Sequence, residues 1–146
     1  MEIKTLLSPH CTHCAVEATS KKRILESISE LVHKHSSVNA DIILNSLISR
    51  EKVGSTGIGN GIAIPHGRLA DINEIQAMLI TCDKAVAYDA IDDQPVDIFF
   101  VLLVPEDQTH GHLQTLATVA KALSDKQVVK RIRAARTDDE LYEAIV

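Results

Sequence analysis

The strongest constraint on the fold is a nearly continuous apolar run at residues 96–104. It reads Val-Asp-Ile-Phe-Phe-Val-Leu-Leu-Val, and Pro105 follows it directly. A half-exposed strand alternates apolar and polar residues, whereas a run without alternation is typical of a strand that is covered on both faces. We therefore predict a central strand here, ended by Pro105, in a sheet that has helices on each side.

Segments with helical periodicity lie both before and after this strand in the sequence. A first helix is predicted over about 20–34, with Thr19 or Ser20 as N-cap and an apolar stripe formed by Ile24, Leu25, Ile28, Leu31 and Val32. A second helix starts after Asn39 and ends near Arg50. A third, after the central strand, has the stripe Leu113, Leu116, Val119, Ala120 and Leu123, and two shorter helices follow with caps near 125 and 137.

Shorter strands are predicted at 62–64, 75–82 and 86–88, and an edge strand near 16–18. Helices at both ends of the chain with strands between them indicate an α/β fold. We predict a three-layer sandwich with the sheet in the centre and helices on both faces, folded as one domain over residues 1–146.

Residues 54–67 are the least ordinary segment: Gly-Ser-Thr-Gly-Ile-Gly-Asn-Gly-Ile-Ala-Ile-Pro-His-Gly. Glycine permits positive φ and close backbone approach, so 56–61 is predicted to be a tight, exposed turn whose amides are free to face a ligand. Proline cannot donate to a sheet ladder, so the strand at 62–64 should stop at Pro65. His66 is then expected on a loop at the strand end, beside glycine and a stiff neighbour.

Neutral imidazole is a nucleophile, and a phosphorylated histidine holds a phosphoryl group for onward transfer. Such a group needs positioning and charge neutralisation. Arg50 and His112, in the first turn of its helix, could supply both beside His66. So could a phosphoryl-binding loop formed by Ser55, Thr56, Gly57, Gly59, Asn60 and Gly61.

Each of these features also has a plain explanation. His66 could be an ordinary loop histidine, Arg50 a solvated charge that complements the end of its helix, and His112 a side chain that interacts with its own helix end. From the residues alone, both interpretations stay open.

Several function classes are disfavoured. An apolar strand follows 57–61 where a dinucleotide fingerprint requires a helix, and the chain has no Gly-Lys-Ser/Thr of a Walker motif. With 15 Lys+Arg against 20 Asp+Glu the formal net charge is −5, which argues against a nucleic-acid partner. No apolar run suits a signal peptide or a membrane span, so we expect a cytoplasmic protein with no membrane partner.

The three cysteines are an odd number, which fits reduced thiols better than a disulfide framework. Four soft ligands cluster near the N-terminus, at His10, Cys11, His13 and Cys14. Zinc sites usually draw two pairs from separated segments, and no second pair follows here. We therefore expect neither a metal site nor a cofactor, and we assign no role to this cluster.

Residues 50–67, which begin Arg-Glu-Lys-Val before the glycine-rich segment, resemble the histidine motif of a known family. These are the IIA phosphocarrier domains of the bacterial phosphoenolpyruvate-dependent phosphotransferase system, in the fructose/mannitol class. The similarity continues at 90–97 (Ala-Ile-Asp-Asp-Gln-Pro-Val-Asp), 103–105 (Leu-Val-Pro) and 112–113 (His-Leu), and the nitrogen-regulatory branch is the most similar.

The resemblance implies a mixed sheet and a phosphotransferase component with a phosphohistidine intermediate at His66. It implies an HPr-like phosphocarrier as donor, and a pair of phosphoryl-stabilising residues in Arg50 and His112. Two functions then compete: a regulatory switch that binds protein targets according to its phosphorylation, and a sugar-uptake component that passes the group to a IIB domain. The chain ends at Val146 without room for a IIB or membrane domain, so we expect the regulatory function.

Overall fold

The structure, a computed structural model, describes residues 2–107 and 109–146, except for the side chains of 109–111. Its strands are β1 (Thr12–Val16), β2 (Gly57–Gly59), β3 (Ile62–Ala63), β4 (His66–Leu69), β5 (Gln76–Val86) and β6 (Val96–Pro105). Its helices are α1 (Ile3–Leu6), α2 (Lys21–Ser36), α3 (Ala40–Glu51), α4 (Thr109–Leu123), α5 (Lys126–Ala134) and α6 (Asp138–Ile145), and a 3-10 turn, Pro9–Cys11, precedes β1.

The predicted central strand is β6. It pairs antiparallel with β5 on one side. On its other side it pairs in parallel with β3 near its start and with β4 near its end. The strand order is β1-β5-β6-β3-β2, with β1 parallel to β5, so the sheet is mixed.

Side chains of β6 alternate between two hydrophobic cores, which explains the lack of a polar face in its sequence. One core, formed with α2 and α3, contains Phe99, Val101 and Leu103. The other, formed with α1, α4, α5 and α6, contains Ile98, Phe100 and Leu102. All six side chains are fully buried, at about 1.5–3 kcal/mol of stabilisation each. The three-layer α/β sandwich is therefore confirmed.

Polar side chains cap the helices as predicted. Ser20 Oγ accepts from the Arg23 amide at the start of α2, and Asn39 Oδ1 accepts from the Asp41 amide at 2.8 Å at the start of α3. The prediction of the apolar stripe of α4 was wrong at one position, because Leu113 is 68% exposed, whereas Val119 is fully buried as predicted. The first turn of α4 extends past the core, beside His66.

Two strand boundaries also differ from the prediction. The segments 75–82 and 86–88 were expected as separate strands, but β5 runs through Gln76–Val86 with an irregular register near its end. The edge strand lies at Thr12–Val16 instead of 16–18. Its pairing with β5 decides the position, and that pairing is not visible in the local sequence.

The glycine-rich segment is a hairpin instead of a single exposed turn. Strand β2 pairs antiparallel with β3, and the two residues between them are Asn60 and Gly61, with φ of 58° and 78°. Positive φ at both positions is what a tight type I′ hairpin needs, and Asn-Gly is its preferred sequence. Gly57, Gly59 and Gly61 are all buried, which corrects the prediction of an exposed turn.

Pro65 interrupts the chain where it runs beside β6. Strand β3 ends at Ala63 and β4 starts at His66, because proline has no N–H for the ladder. The Pro65 carbonyl still accepts from the Leu102 amide at 2.9 Å. His66 was expected on a loop, but it is the half-buried first residue of a strand.

Gly67 sets the distance between β4 and α3. A Cβ at this position would overlap Ser46 Oγ and lie 3.2 Å from Ser46 Cβ. Gly67→Ala should therefore lower the free energy of unfolding by about 1–3 kcal/mol through overpacking, measured by urea denaturation. The double variant with Ser46→Gly should lose less than the sum of the two single losses. Strictly additive losses would contradict this contact.

Candidate functional site

An open cavity of about 610 Å³ lies beside β4, between α3 and α4. Its lining consists of Asn45, Ser46, Ser49 and Arg50 from α3, His66, Gly67 and Arg68 from β4, and His112 from α4. Among the residues that the structure describes, no acidic side chain lines this cavity, although the chain has a net charge of −5. The cavity is therefore a local positive site that favours an anion.

Arg50, in the last turn of α3, joins two parts of the site. Its Nε donates a hydrogen bond to His66 Nε2 at 3.1 Å. Its Nη1 donates to the Gly54 carbonyl at 2.8 Å. Two bonds from one planar guanidinium fix its orientation, and the Nε bond places it against the His66 ring.

The partners of His66 define its tautomer. Its Nδ1 lies 2.7 Å from the Ile64 carbonyl, which only accepts, so Nδ1 carries the hydrogen. The lone pair is then on Nε2, where it accepts from Arg50. Burial is the largest cause that lowers the pKa of His66; the Ile64 bond opposes it, and Arg50 adds to it. His66 is thus a neutral imidazole whose lone pair lies on Nε2.

His112 approaches His66 from the first turn of α4. The two ring centroids are 5.3 Å apart and the rings are tilted by 44°. His112 Nδ1 is buried and has no hydrogen-bond partner among the described atoms. Burial is the largest cause that lowers the pKa of His112, followed by the charges of His66, Arg68 and Arg50. The His112 ring is therefore neutral near pH 7, because of its burial and the neighbouring guanidinium groups.

We expect the His112 ring to titrate below the ordinary histidine value of 6.5 in the unphosphorylated protein. Phosphorylation of His66 should then raise this pKa, because a dianion nearby favours the imidazolium. An NMR titration of the ring protons in both states measures the two values. A pKa above 6.5 before phosphorylation would contradict the neutral ring.

The same shifts predict a pH dependence of stability. Burial lowers the pKa of His13, His66 and His112 in the folded state, so between the folded and unfolded values the unfolded chain binds more protons. The free energy of unfolding should therefore fall as the pH drops below about 6.5 and level off below the folded values. Urea denaturation between about pH 5 and 8 measures this. A free energy of unfolding that rises as the pH drops from about 6.5 to 5 would contradict the lowered pKa values of these histidines.

Glu51, next to Arg50, anchors the end of α3 and was not singled out by the sequence analysis. Its buried carboxylate pairs with the Lys21 ammonium at 3.0 Å and accepts from both the amide and the hydroxyl of Thr56. The Lys21 ammonium also lies 4.5 Å from the centre of the Tyr88 ring. Because removing one partner of a buried ion pair is costly, this network holds the last turn of α3, and with it Arg50, in place.

The glycine-rich hairpin uses its amides within the protein. The Thr56 amide donates to Glu51, the Gly57 amide to Ser55 Oγ at 3.1 Å, and the Asn60 amide to Asp92 at 3.0 Å. An anion nest needs free amides that converge on one point.

These internal bonds do not favour the predicted phosphoryl-binding loop. None of the six residues of this loop is among the described residues that line the cavity. The six are Ser55, Thr56, Gly57, Gly59, Asn60 and Gly61. Arg133 instead holds the hairpin tip, since it bonds to the Asn60 carbonyl and to both carboxylate oxygens of Asp97, at 3.1 and 2.9 Å. The hairpin is part of the scaffold.

Five lining residues were not among the predicted site residues: Asn45, Ser46, Ser49, Gly67 and Arg68. Helical spacing could have found Asn45 and Ser46, which lie five and four residues before Arg50 and share or border its face, whereas Ser49 directly precedes Arg50. Strand alternation could have found Arg68, two residues after His66.

The N-terminal His and Cys residues contact different neighbours. The His13 ring lies 5.6 Å from the His35 ring, and Cys14 Sγ donates to the Ala135 carbonyl at 3.4 Å. Among the described residues, no group of three or more His, Cys, Asp or Glu is arranged to hold a metal ion. In the same part of the chain, no helix is long and apolar enough to cross a membrane.

The chain belongs to the EIIA 2 family of the phosphoenolpyruvate-dependent sugar phosphotransferase system, whose model matches residues 5–146. Proteins of this family carry phosphoryl groups, so the chain is a component of a transferase system.

Among its relatives, the nitrogen regulatory protein of Klebsiella oxytoca is 49% identical over 146 residues, which cover 99% of this chain and 90% of that protein. The crystal structure of nitrogen regulatory protein IIA-Ntr from Neisseria meningitidis is 34% identical, with a TM-score of 0.91 and 99% of each chain covered. Mannitol IIA of Escherichia coli, solved in complex with phosphorylated mannitol IIB, shares the fold at 19% identity, with a TM-score of 0.78 and 95% and 96% of the chains covered.

Proposed function

We propose that this protein accepts a phosphoryl group on Nε2 of His66 and acts as a regulatory switch through that modification. The observation that carries the proposal is the Nε2 lone pair, held by Arg50 at 3.1 Å in a cavity without acidic lining among the described residues. The other ring nitrogen is occupied by the Ile64 carbonyl. The proposed donor is a phosphohistidine on an HPr-like carrier, and the proposed setting is the cytoplasm.

The transfer needs no net proton movement. The N–P bond of the donor breaks and its electron pair stays on the donor ring, while the lone pair of His66 Nε2 forms the new N–P bond. Arg50 Nε loses its acceptor in this step and turns to a phosphoryl oxygen as a charge-assisted donor. His112, as a neutral ring, has one N–H to donate to another oxygen. Positioning and charge neutralisation are the main needs of a loose phosphoryl-transfer transition state.

The bonds of Arg50 also support a switch. The guanidinium holds His66 Nε2 and the Gly54 carbonyl at the same time. A phosphoryl group on Nε2 removes the hydrogen bond between Arg50 and His66. Any movement of the guanidinium then also changes its hydrogen bond to the Gly54 carbonyl. Phosphorylation would thus alter both the charge of the cavity and the surface next to it, which are the changes that a protein target can detect.

The identity with nitrogen regulatory proteins, at 49% over nearly the whole chain, favours regulation. The second candidate is transfer to a sugar-specific IIB domain. It is favoured by the shared fold with mannitol IIA, which was solved with phosphorylated mannitol IIB.

Incubation with radiolabelled phosphoenolpyruvate and the general phosphotransferase proteins tests the phosphocarrier. We expect an acid-labile label on this chain, and absence of label would contradict the proposal. The labelled protein is then mixed with purified IIB domains of the fructose/mannitol class. Retained label, together with a regulatory target that binds only one phosphorylation state, supports the switch. Rapid transfer of the label to a IIB domain supports the second candidate.

A further inference from the structure

Arg68 is an unpaired cation in the cavity beside His66. Its side chain lines the cavity, and among the described residues it forms no hydrogen bond or ion pair. Its backbone is fixed on both sides, because Ser46 Oγ donates to its carbonyl at 2.9 Å and its strand position pairs with Val104 of β6. The residue is therefore anchored while its guanidinium remains available.

Strand geometry directs this guanidinium to the side of His66. Successive side chains of a strand point to opposite faces, so His66 and Arg68 share one face while Gly67 packs against Ser46 on the other. The charge of Arg68 acts on His112, whose pKa it helps to lower. The lining of one cavity therefore contains two guanidinium groups, that of Arg50 on α3 and that of Arg68 on β4.

The charge balance of the cavity indicates what the second guanidinium binds. An unphosphorylated cavity holds two cations, two neutral histidines and no acidic lining among the described residues. A single guanidinium leaves part of a phosphoryl dianion without a counter-charge, and arginine suits phosphate oxygens because of its planar fork.

We propose that Arg68 binds the phosphoryl group carried on His66, as a second guanidinium in addition to that of Arg50. This inference rests on the proposed function, since it requires the group to be on Nε2 of His66. Arg68 gains its partner only when the phosphoryl group arrives. It should therefore increase the rate of phosphorylation and lengthen the lifetime of the phosphohistidine.

Three variants test the inference: Arg68→Gln, Arg68→Lys and, as the matched control, Arg131→Gln. Arg131 is an exposed residue of α5 outside the cavity, so its replacement removes the same charge from the chain. We expect Arg68→Gln to slow phosphorylation by about 5- to 20-fold. This factor corresponds to the loss of one charge-assisted hydrogen bond, reduced because the Arg68 side chain is exposed to solvent. Arg68→Lys should recover part of the rate, and Arg131→Gln should match the parent.

Two further readouts separate binding from a structural effect. The hydrolysis half-life of the isolated phosphoprotein should shorten in Arg68→Gln and stay unchanged in Arg131→Gln. In the unphosphorylated protein, Arg68→Gln should raise the pKa of His112, because one of the charges that lower it is removed. Matching melting temperatures would exclude a loss of fold.

The outcomes distinguish this inference from the proposed function. If the parent takes up no label, the proposed function fails and the inference fails with it. If the parent is phosphorylated but Arg68→Gln matches it in rate and half-life, the proposed function stands and only the role of Arg68 is overturned. An unchanged pKa of His112 in Arg68→Gln would also overturn it, because the guanidinium would then not reach the cavity.

Discussion

His66→Ala should take up no phosphoryl group from the general phosphotransferase proteins, with label reduced to background. The variant removes the Nε2 lone pair, and among the described residues the cavity offers one other imidazole, that of His112. His112 lacks an arrangement like that of His66, where one ring nitrogen is held by a carbonyl and the other by Arg50. The measurement is acid-labile label per chain after incubation with phosphoenolpyruvate.

His10→Ala is the matched control, because His10 is exposed and is not part of the cavity lining. It should be labelled like the parent. Full labelling of His66→Ala would show that another residue accepts the group, and the assignment of His66 would be withdrawn.

Arg50→Ala should have the second largest effect. Arg50 makes two hydrogen bonds in the unphosphorylated site, and two charge-assisted bonds to phosphoryl oxygens would be worth about 3–6 kcal/mol at about 1.5–3 kcal/mol each. If both form mainly in the transition state, transfer should slow by about 10²- to 10⁴-fold. Single-turnover transfer from the phosphorylated carrier measures the rate.

Arg50→Lys separates charge from geometry. Lysine keeps the positive charge but lacks the planar fork, so its rate should lie between those of the parent and Arg50→Ala. Equal rates for all three proteins would exclude a role for Arg50 in transfer. The melting temperature of each variant serves as the control for the packing at the end of α3.

The parts of the fold that were predictable are those that depend on local pattern. The run at 96–104 could be interpreted without knowledge of its partners, since an apolar run without alternation is typical of a strand buried on both faces. The caps at Ser20 and Asn39 likewise bond to amides two or three residues away. These predictions were confirmed because the interactions that decide them lie within a few residues.

The glycine-rich segment shows what local pattern misses. Its glycines suggested free amides for an anion, yet Gly57 and Gly61 each meet a constraint from a distant part of the chain. A Cβ on Gly57 would meet Ala90, and one on Gly61 would meet Asp97 and Arg133. Gly57 and Gly61 are thus explained by close packing of the scaffold, and no sequence window that contains only 54–67 carries that information.

The site was predictable in part for the same reason. His66 has chemical character of its own and stood out in the sequence, whereas Arg50 and His112 acquire their relation to it through the packing of α3 and α4 around β4. Arg68 has no local signal apart from its spacing from His66. Its relevance depends on a cavity that exists only in the folded chain.

The most direct test of the account is to identify the ring nitrogen that carries the phosphoryl group. Long-range proton–nitrogen NMR spectra of the ¹⁵N-labelled protein, recorded before and after phosphorylation, report the state of both nitrogens of each histidine. The account predicts hydrogen on Nδ1 of His66 before the reaction and a phosphoryl group on its Nε2 afterwards. A phosphoryl group on Nδ1 of His66, or on any other histidine, would contradict it.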